Sequence, residues 1–290
     1  MITGGSRGFG LASARACARE GAAVVIAARG AEAVTQAAAA LQAEGLQVVG
    51  AACDVSDIAQ VEALAQLAVE RFKRIDVWVN NAGRKAPYGP TAHVAASAFM
   101  QVVQTNIIGA YNGSMVALRH FLPVRRGKLI NILGRGSNGE ASANQNAMAA
   151  SKAWAASFTR SLAREYRDSG VGIYGFNPGM MTTDFLTDLV VVAGFEGRLK
   201  QVMPAIIRMW AKPPEIPARR VAWLASAATD GKTGLELREM NALGMAAGAL
   251  REGWARLTRR QPAGPEVKLA LVPAALPLPP RHGAALGEKE

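Results

Sequence analysis

The chain has 290 residues, of which 50% are hydrophobic, and its formal net charge is +11 at pH 7. This length and apolar content are sufficient for one sizeable core. The basic residues are spread along the chain and no nucleic-acid motif is present, so the charge does not predict a nucleic-acid-binding protein. No apolar stretch approaches the roughly 20 residues that cross a bilayer, and the N-terminus lacks the layout of a signal peptide.

Of the two cysteines, Cys17 falls inside a predicted helix and Cys53 at the end of a predicted strand. That placement is typical of buried thiols rather than of a disulfide framework. Together with the lack of a targeting segment, it predicts a cytoplasmic protein. We predict no metal site.

A glycine-rich turn opens the chain: residues 3–10 read Thr-Gly-Gly-Ser-Arg-Gly-Phe-Gly, and an Ala-rich run follows. Glycines at a strand-to-helix turn let the backbone approach a pyrophosphate, which the free N–H groups and positive dipole end of the helix attract. Such turns also occur as plain loops, so the surrounding pattern must decide. If the turn binds a nucleotide, the residues that hold it are Gly4, Ser6, Arg7, Gly8, Phe9 and Gly10.

Short apolar runs alternate with helical periods along the next 170 residues. In chain order they predict helix 11–20, strand 22–28, helix 31–44, strand 46–52, helix 57–72, strand 75–79, helix 95–122, strand 128–133, helix 145–166 and strand 171–176. Strands separated by helices imply right-handed crossovers. The predicted fold class is therefore α/β, a Rossmann-type doubly wound parallel sheet in three layers.

The first strand is unusually short, because only Met1 and Ile2 precede the turn. Typical strands have about 5–6 residues, and the first strand of this fold is central. Either the central strand is truncated, or the natural start lies upstream and this sequence begins at an internal methionine. Both alternatives stay open.

We divide the chain into a dinucleotide-binding and catalytic domain over 1–239, a basic amphipathic helix over 240–260 and a flexible proline-rich tail over 261–290. The helix carries apolar residues at helical spacing: Leu243, Ala247, Leu250, Trp254 and Leu257. This stripe predicts packing on its own domain or on a second subunit, in preference to contact with a membrane surface. In the tail no helical or strand period survives.

Further motifs recur in a fixed order: Asp54-Val55, Asn80-Asn81-Ala82-Gly83, Asn106, Lys152 and Asn177-Pro178-Gly179. With the glycine-rich turn, they resemble the short-chain dehydrogenase/reductase family. The glycine-rich loop 134–139 and the segment 177–184 are similar to the chlorophyll b reductase branch. The resemblance implies an oxidoreductase with a nicotinamide cofactor, a substrate lid over about 184–212, and a dimer or tetramer formed through the helices 95–122 and 145–166.

The residue after strand 22–28 bears on the cofactor. Enzymes of this fold that prefer NAD usually place an acid there, whereas this chain has Ala28 followed by Arg29. Arg29 and Arg7 have the guanidinium geometry that suits a 2′-phosphate, although both could also be solvated surface residues. We therefore predict NADP(H) in preference to NAD(H).

The resemblance assigns further contacts to the cofactor. It implies that Asp54 accepts from the adenine amino group and that Val55 lies along the ring. It also implies that Asn81, Ala82 and Gly83 line the ribose and that Pro178, Gly179 and Thr183 hold the nicotinamide side. Alternatives from the residues alone are helix capping by Asp54 or Asp57 and a simple turn at Asn80 and Asn81.

The catalytic positions depart from the family. The family places a Tyr four residues before the Lys, on one helix face, but here Met148 precedes Lys152. A thioether has no proton to transfer, so Met148 cannot act as the acid. Ser137 is the one candidate for the serine that polarises the carbonyl, with an ordinary loop serine as the alternative. Asn106 is expected to kink its helix and hold a water for Lys152, or else to be a polar residue satisfied within the helix.

Two functions remain open. The first is an NADP(H)-dependent oxidoreductase that interconverts a carbonyl and an alcohol, with Lys152, Asn106, Ser137 and solvent as the proton relay. Tyr88, in the loop after Gly83, is the least improbable replacement acid. The second is a catalytically weak NADP(H)-binding protein that acts as a sensor or an oligomer partner. The apolar residues of the lid indicate an apolar substrate, although they equally suit packing.

Overall fold

The computed structural model describes residues 1–258 and 266–276. The elements, in chain order, are β1 (Ile2–Thr3), α1 (Gly8–Arg19), β2 (Val24–Ala28), α2 (Ala31–Ala43), β3 (Val48–Ala52), α3 (Ile58–Phe72), β4 (Val77–Asn80), α4 (Ala96–Val102), α5 (Gly109–Phe121), β5 (Gly127–Ile132), α6 (Asn146–Glu165), β6 (Val171–Asn177), α7 (Asp184–Thr187), β7 (Asp188–Val192), α8 (Glu196–Trp210), α9 (Glu215–Ala225), β8 (Glu236–Arg238), α10 (Ala242–Leu257) and β9 (Lys268–Val272).

Seven parallel strands form the central sheet in the order β3-β2-β1-β4-β5-β6-β8. The two-residue strand β1 is central, because Ile2 pairs with Ile26 of β2 and with Val79 of β4. The order reverses at β1, which places a crevice at the carboxyl ends of β1 and β4. The doubly wound sheet predicted from the sequence is confirmed.

Most residues of the inner strands are apolar, as expected for a sheet whose two faces are both covered by helices. One face buries Ile26 against Val34 and Leu41 of α2, and the other buries Trp78 and Leu129 under α3, α5 and α6. All five of these side chains are at most 1% exposed. These two apolar clusters make the three layers and fix the strand ends that carry the site.

The predicted helix 95–122 is interrupted. A π-helical segment, Val103–Ile108, separates α4 from α5. Asn106 lies in this segment with its side chain buried. π-Helical turns are rare and often accompany functional residues.

A second, two-stranded sheet lies beyond the main sheet. β7 pairs in parallel with β9 over five residue pairs, from Asp188 with Lys268 to Val192 with Val272. The prediction of a flexible tail is therefore wrong for 268–272, and residues 259–265 and 277–290 lie outside the described residues. Because the tail is rich in proline, its composition predicts no strand. It nevertheless contains the five-residue run Lys-Leu-Ala-Leu-Val, which is apolar enough to pair with β7.

The predicted amphipathic helix is present as α10, and residues 259–260 of the prediction lie outside the described part. Its contact with the body is made by the face opposite the apolar stripe: Gly248 lies against Trp210, and Glu252 is buried in an ion pair with Arg208. Among residues 1–258 and 266–276 the stripe does not pack on its own domain, because these smaller and charged residues make the contact instead, and packing on a second subunit stays a prediction. Within 1–258 and 266–276, we find no helix with the length and apolarity needed to cross a membrane.

Candidate active site

The glycine-rich turn is clamped onto the end of β4. The Asn81 Nδ2 donates to Thr3 O at 2.8 Å and to Gly4 O at 3.1 Å, and Thr3 Oγ1 accepts from the backbone N of Asn81 and Ala82. Gly4 and Gly8 have φ angles of +65° and +55°, which favour glycine. A Cβ on Gly10 would overlap Gly4 O, so only glycine permits this close return of the chain.

The start of α1 fits a pyrophosphate. Its N-cap residue, Arg7, has extended backbone angles and makes no side-chain capping hydrogen bond, so the first N–H groups of the helix remain available to an anion. The Phe9 side chain points away into the core and packs on Phe176 with ring centroids 6.2 Å apart. Phe9 can therefore reach the cofactor only through its backbone.

The end of β2 presents a positive charge. Arg29 is exposed directly after Ala28, and its charge acts on Asp54. Burial raises the pKa of Asp54, but hydrogen bonds from Ser56 and the charge of Arg29 outweigh it and keep that pKa below the ordinary value. The other predicted arginine, Arg7, lies 3.5 Å from Asp184, and the two side chains are 78% and 62% exposed.

The two aspartates after β3 have separate tasks. Asp57 is the N-cap of α3, since its carboxylate accepts from Ala59 N at 3.0 Å. Asp54 does not cap the helix: its Oδ1 accepts from the N and Oγ of Ser56 at 2.9 and 2.7 Å. Val55 is 5% exposed and packs toward Gly109 of α5. The adenine contacts of Asp54 and Val55 stay predictions.

Asn80, the other residue of the predicted turn, belongs to a buried network. It accepts from Trp78 Nε1 at 2.9 Å and donates to Ser114 Oγ at 3.0 Å and to Asn131 Oδ1 at 2.8 Å. These bonds join β4, α5 and β5 below the site. The network is structural, and the sequence did not predict it because its members lie far apart in the chain.

Lys152 is held beneath the crevice. Its side chain is buried, its Nζ donates to Ile132 O at the end of β5 at 2.7 Å, and burial lowers its pKa to about 8. The family pattern would place a serine near Gly134 or Arg135, and a Cβ on Gly134 would contact Lys152 Cγ at 3.5 Å. Neither of these two residues carries a hydroxyl.

Asn106 ties three elements together. Its Oδ1 accepts from Arg84 N at 2.7 Å, and its Nδ2 donates to Arg84 O and to Ser151 Oγ, both at 2.9 Å. Ser151 in turn donates to Met148 O at 2.7 Å. The side chain of Asn106 thus fixes the loop after β4 against α6. A proton relay would have to use its backbone, and that role stays a prediction.

Ser137 is buried with its Oγ 3.4 Å from Asn177 Nδ2. Its loop turns at Gly136, where φ is +92° and a Cβ would overlap Ala149 O of α6. Ser137 is not among the residues that line the cavity at Met148. The structure thus places Ser137 in a loop beside Asn177 and outside this cavity, and its role in polarising a substrate carbonyl stays a prediction.

A cavity of about 400 Å³ opens at the start of α6. Met148 lines it with Phe99, Met100 and Leu189, so most of its wall is apolar. Two lining residues, Lys85 and Tyr88, have side chains that can donate a proton. The spacing of the sequence motifs predicts no role for Lys85.

Lys85 and Tyr88 are held by the segment 185–192, which lies within the predicted lid. The Lys85 Nζ donates to Phe185 O and, at 2.8 Å, to Asp188 O. Burial, reinforced by Arg7 and opposed by Asp188, lowers its pKa to about 8. The backbone of Tyr88 pairs with β7, and its hydroxyl accepts from Asn144 Nδ2 at 3.2 Å.

Residues 177–183, which are predicted to flank the nicotinamide, border the same crevice. Gly179 has a φ of +73°, and its N donates to Asn177 Oδ1 at 3.0 Å. A Cβ on Gly8 would lie 3.5 Å from Thr183 Cγ2, so this segment adjoins the glycine-rich turn. The structure thus brings the turn, Lys152, Thr183 and the cavity together at one edge of the sheet.

We predict that Lys152→Met changes how stability depends on pH. In the parent, the Lys152 pKa is lower when folded than when unfolded, so this group costs stability below about pH 8 and the cost disappears toward pH 10.5. Relative to the parent, Lys152→Met should gain up to about 3 kcal/mol at pH 7, and this gain should vanish by pH 10.5. Urea denaturation at both pH values measures it.

Lys200→Met, which removes an exposed ammonium from α8, is the matched control. Its stability difference from the parent should stay nearly constant over the same pH range. An equal pH dependence of the two variants would contradict the burial argument.

The comparisons with known proteins agree with this geometry. Residues 1–190 match the family model for short chain dehydrogenases. A chlorophyll(ide) b reductase from Oryza sativa subsp. japonica is 36% identical over 197 residues, which are 64% of this chain and 56% of the plant protein. A putative ketoacyl reductase from Streptomyces coelicolor is 29% identical over 84% of this chain and 96% of its own length. A cis-4-hydroxycyclohexanecarboxylate dehydrogenase from Sinomonas cyclohexanicum is 34% identical over 78% of this chain and 88% of its own length.

Solved structures show the same fold with nicotinamide cofactors bound. An actinorhodin polyketide ketoreductase variant with NADPH superposes with a TM-score of 0.75 at 28% identity, over 84% of this chain and 95% of the other. A gluconate 5-dehydrogenase from Burkholderia cenocepacia, in complex with NADP and tartrate, gives a TM-score of 0.72 at 27% identity, over 85% and 94%. Together with the family match over 1–190, these likenesses establish that the chain belongs to the short-chain dehydrogenase/reductase family.

Proposed function

We propose that this protein is an NADP(H)-dependent oxidoreductase that interconverts a carbonyl and an alcohol on a small, largely apolar substrate. The observation that carries the proposal is the convergence of the glycine-rich turn, buried Lys152 and the 400 Å³ cavity at one edge of the sheet. The relatives and neighbours, which include reductases and dehydrogenases, support the same reaction class.

The proposed cofactor fits the residues present. The free N–H groups at the start of α1 would hold the pyrophosphate, and Arg29, with Arg7, would hold the 2′-phosphate. Asn81, Ala82 and Gly83 would line the ribose, while Lys152 would donate to the nicotinamide ribose as well as to Ile132 O. Pro178, Gly179 and Thr183 would flank the nicotinamide. The bound cofactor would supply or accept the hydride.

The proton must come from a group other than Met148. Lys85 and Tyr88 are the proton-bearing residues that share the cavity with Met148, and the pKa of Lys85, lowered to about 8, suits proton exchange near neutral pH. A relay through Lys152, the Asn106 backbone and solvent is the other route. Ser137 is a further candidate for this relay, and like Lys152 and Asn106 it does not line the cavity, so the relay would reach the substrate through solvent.

A second function is favoured by a specific observation, namely that two family positions have lost their proton-bearing groups. Met148 replaces the tyrosine, and Gly134 and Arg135 stand where the serine is expected, while the glycine-rich turn keeps the close return of Gly10 onto Gly4. A protein that binds NADP(H) with little turnover would look like this. It would act as a sensor or as a partner in an oligomer.

Calorimetry with NADPH and a turnover assay separate these functions. Both require heat of association with NADPH, whereas only the enzyme oxidises NADPH when ketones and aldehydes are supplied. If NADPH binds but no apolar carbonyl compound in the panel is turned over, only the second function remains. No heat with either NADPH or NADH would remove both.

We predict that Arg29→Glu reverses the cofactor preference. The carboxylate would repel the 2′-phosphate, so the NADPH Kd should rise roughly 10- to 100-fold, while the NADH Kd should stay unchanged or fall. Arg167→Glu makes the same charge change before the amino end of β6, at the opposite edge of the sheet, and should alter neither Kd. If both variants raised the NADPH Kd equally, Arg29 would act only as a general surface charge and not as a contact to the 2′-phosphate.

Oligomerisation through the helices predicted at 95–122 and 145–166 is also part of the proposal. Tyr111 of α5 is 46% exposed, and its ring lies 6.1 Å from that of Phe158 of α6, which stacks on Trp154. Such an aromatic surface, flanked by small residues of α6, would suit a second subunit. A cytoplasmic location is proposed with it, since Cys17 and Cys53 are free and buried.

A further inference from the structure

The outer face of α10 carries large apolar side chains that the rest of the described chain does not cover. Leu243, Leu250, Trp254 and Leu257 are 82%, 75%, 68% and 79% exposed. Together with Ala247 they form what we call the α10 seam. Four large apolar groups in one row mark an interaction surface rather than scattered surface residues.

The spacing of the seam is that of a helix pair. Its members follow one another at intervals of four, three, four and three residues, which is the a/d repeat of two packed helices. The opposite face of α10 already has a partner: Arg208 holds Glu252, and Trp210 Nε1 donates to Met245 O at 3.1 Å. α10 is thus anchored on α8 and presents the seam outward.

We infer that the α10 seam pairs with the α10 seam of a second copy of this chain, with the two helices antiparallel. The seam is self-complementary about Leu250. A twofold axis there places Leu243 against Leu257 of the partner subunit, and Ala247 against Trp254 of the partner subunit. Each large ring then meets a small methyl group, so the pair has even thickness along its length.

The parallel arrangement lacks this fit. It would set the two copies of Trp254 against each other and the two copies of Ala247 across a gap. The residues beside the seam also allow close approach, since Ala246 and Gly253 flank it on one side. Size complementarity therefore selects the antiparallel pair.

The one cation beside the seam whose side chain the structure describes, Arg251, does not favour a membrane surface. Cations that reach the lipid headgroups strengthen the binding of an amphipathic helix to a membrane. Arg251, which flanks the seam, is instead turned back to its own chain, where its Nη2 donates to Met209 O at 3.0 Å and to Arg208 O at 3.4 Å. This pairing is independent of the contact proposed on α5 and α6, because α10 packs on α8.

Single-cysteine cross-linking tests the arrangement. Leu250→Cys, Leu243→Cys and Leu257→Cys are each treated with a short bifunctional maleimide. In the antiparallel pair, position 250 lies at the axis and links to itself, whereas two copies of position 243 lie about 20 Å apart. We expect linked dimers from Leu250→Cys alone and from a mixture of Leu243→Cys with Leu257→Cys. We expect none from either of the last two alone.

The two native cysteines determine the background of the cross-linking experiment. Burial raises the pKa of Cys17 and Cys53 to about 11, so the parent should remain unlinked. Leu250→Arg, at an exposed position that keeps the fold, should halve the mass of the assembly measured by light scattering. It should leave NADPH binding unchanged.

Three outcomes would overturn the inference. Self-linking at all three positions would indicate a parallel pair. Absence of linking with unchanged mass of Leu250→Arg would mean that the seam has no second copy on it. Absence of linking together with binding to vesicles of anionic lipid, lost in Leu250→Arg, would assign the seam to a membrane surface.

Discussion

Met148→Tyr should raise the turnover number for carbonyl reduction by about 10²- to 10⁴-fold over the parent. The new hydroxyl would lie on the same face of α6 as Lys152, one turn before it, and would border the cavity. Lys152 already sits buried with its ammonium at Ile132 O, so the charge that lowers the pKa of a neighbouring tyrosine is in place. Steady-state oxidation of NADPH with a panel of ketones and aldehydes measures the effect.

Met148→Phe is the control for this prediction. Phenylalanine brings a ring of the same size but no hydroxyl proton, so the turnover number of this variant should stay at the level of the parent. Equal gains by the two variants would mean that packing, not the missing acid, limits the parent. If Met148→Tyr turns over substrate while the parent has no detectable activity, the parent is a binding protein rather than an enzyme.

Gly10→Ala should remove cofactor binding and destabilise the fold. A Cβ at this position would overlap Gly4 O and crowd Asn81 Nδ2, the atom that donates to Thr3 O and Gly4 O. Overpacking of this kind costs about 3 kcal/mol. If the binding free energy of the pyrophosphate at this turn is weakened by the same amount, the NADPH Kd rises by roughly 100-fold or more. Thermal unfolding with and without NADPH measures both effects.

Gly197→Ala is the matched control. Gly197 lies in the first turn of α8, and no neighbouring atom lies within 4 Å of the added Cβ. This change should stabilise the fold by up to about 1 kcal/mol and leave the Kd unchanged. Were Gly10→Ala to bind NADPH as the parent does, the turn would not be the phosphate site, and the proposed function would lose its basis.

The sequence predicted the main sheet well because buried parallel strands and their crossover helices produce long, regular patterns. The run at 22–28 became β2 with four fully buried residues, and the helix 145–166 became Asn146–Glu165. Local chemistry likewise fixed the glycine-rich turn, where a Cβ would meet backbone at Gly4 and Gly10. These features depend on residues that lie close to one another in the sequence.

Contacts between distant segments could not be predicted in the same way. β9 forms only because β7, about 80 residues earlier, offers a free edge, and the proline-rich composition around it suggested no structure. Lys85 lines the cavity because residues 185–188 fold over it, which no spacing relative to Lys152 could indicate. The chain offers Ser137 as the nearest serine to the family position, but the turn at Gly136 directs it toward Asn177.

The pairing of β7 with β9 has a mechanical consequence. β7 is held on one edge by the backbone of Tyr88 and on the other by β9, and the chain just after β9 is fastened where Ala275 N donates to His93 O at 2.9 Å. β7, which borders the cavity, is therefore fixed along both of its edges and is not a free flap. Removing residues 268–276 would free one of these edges. The entrance to the cavity would then become more mobile, although the predicted catalytic residues would all remain in the chain.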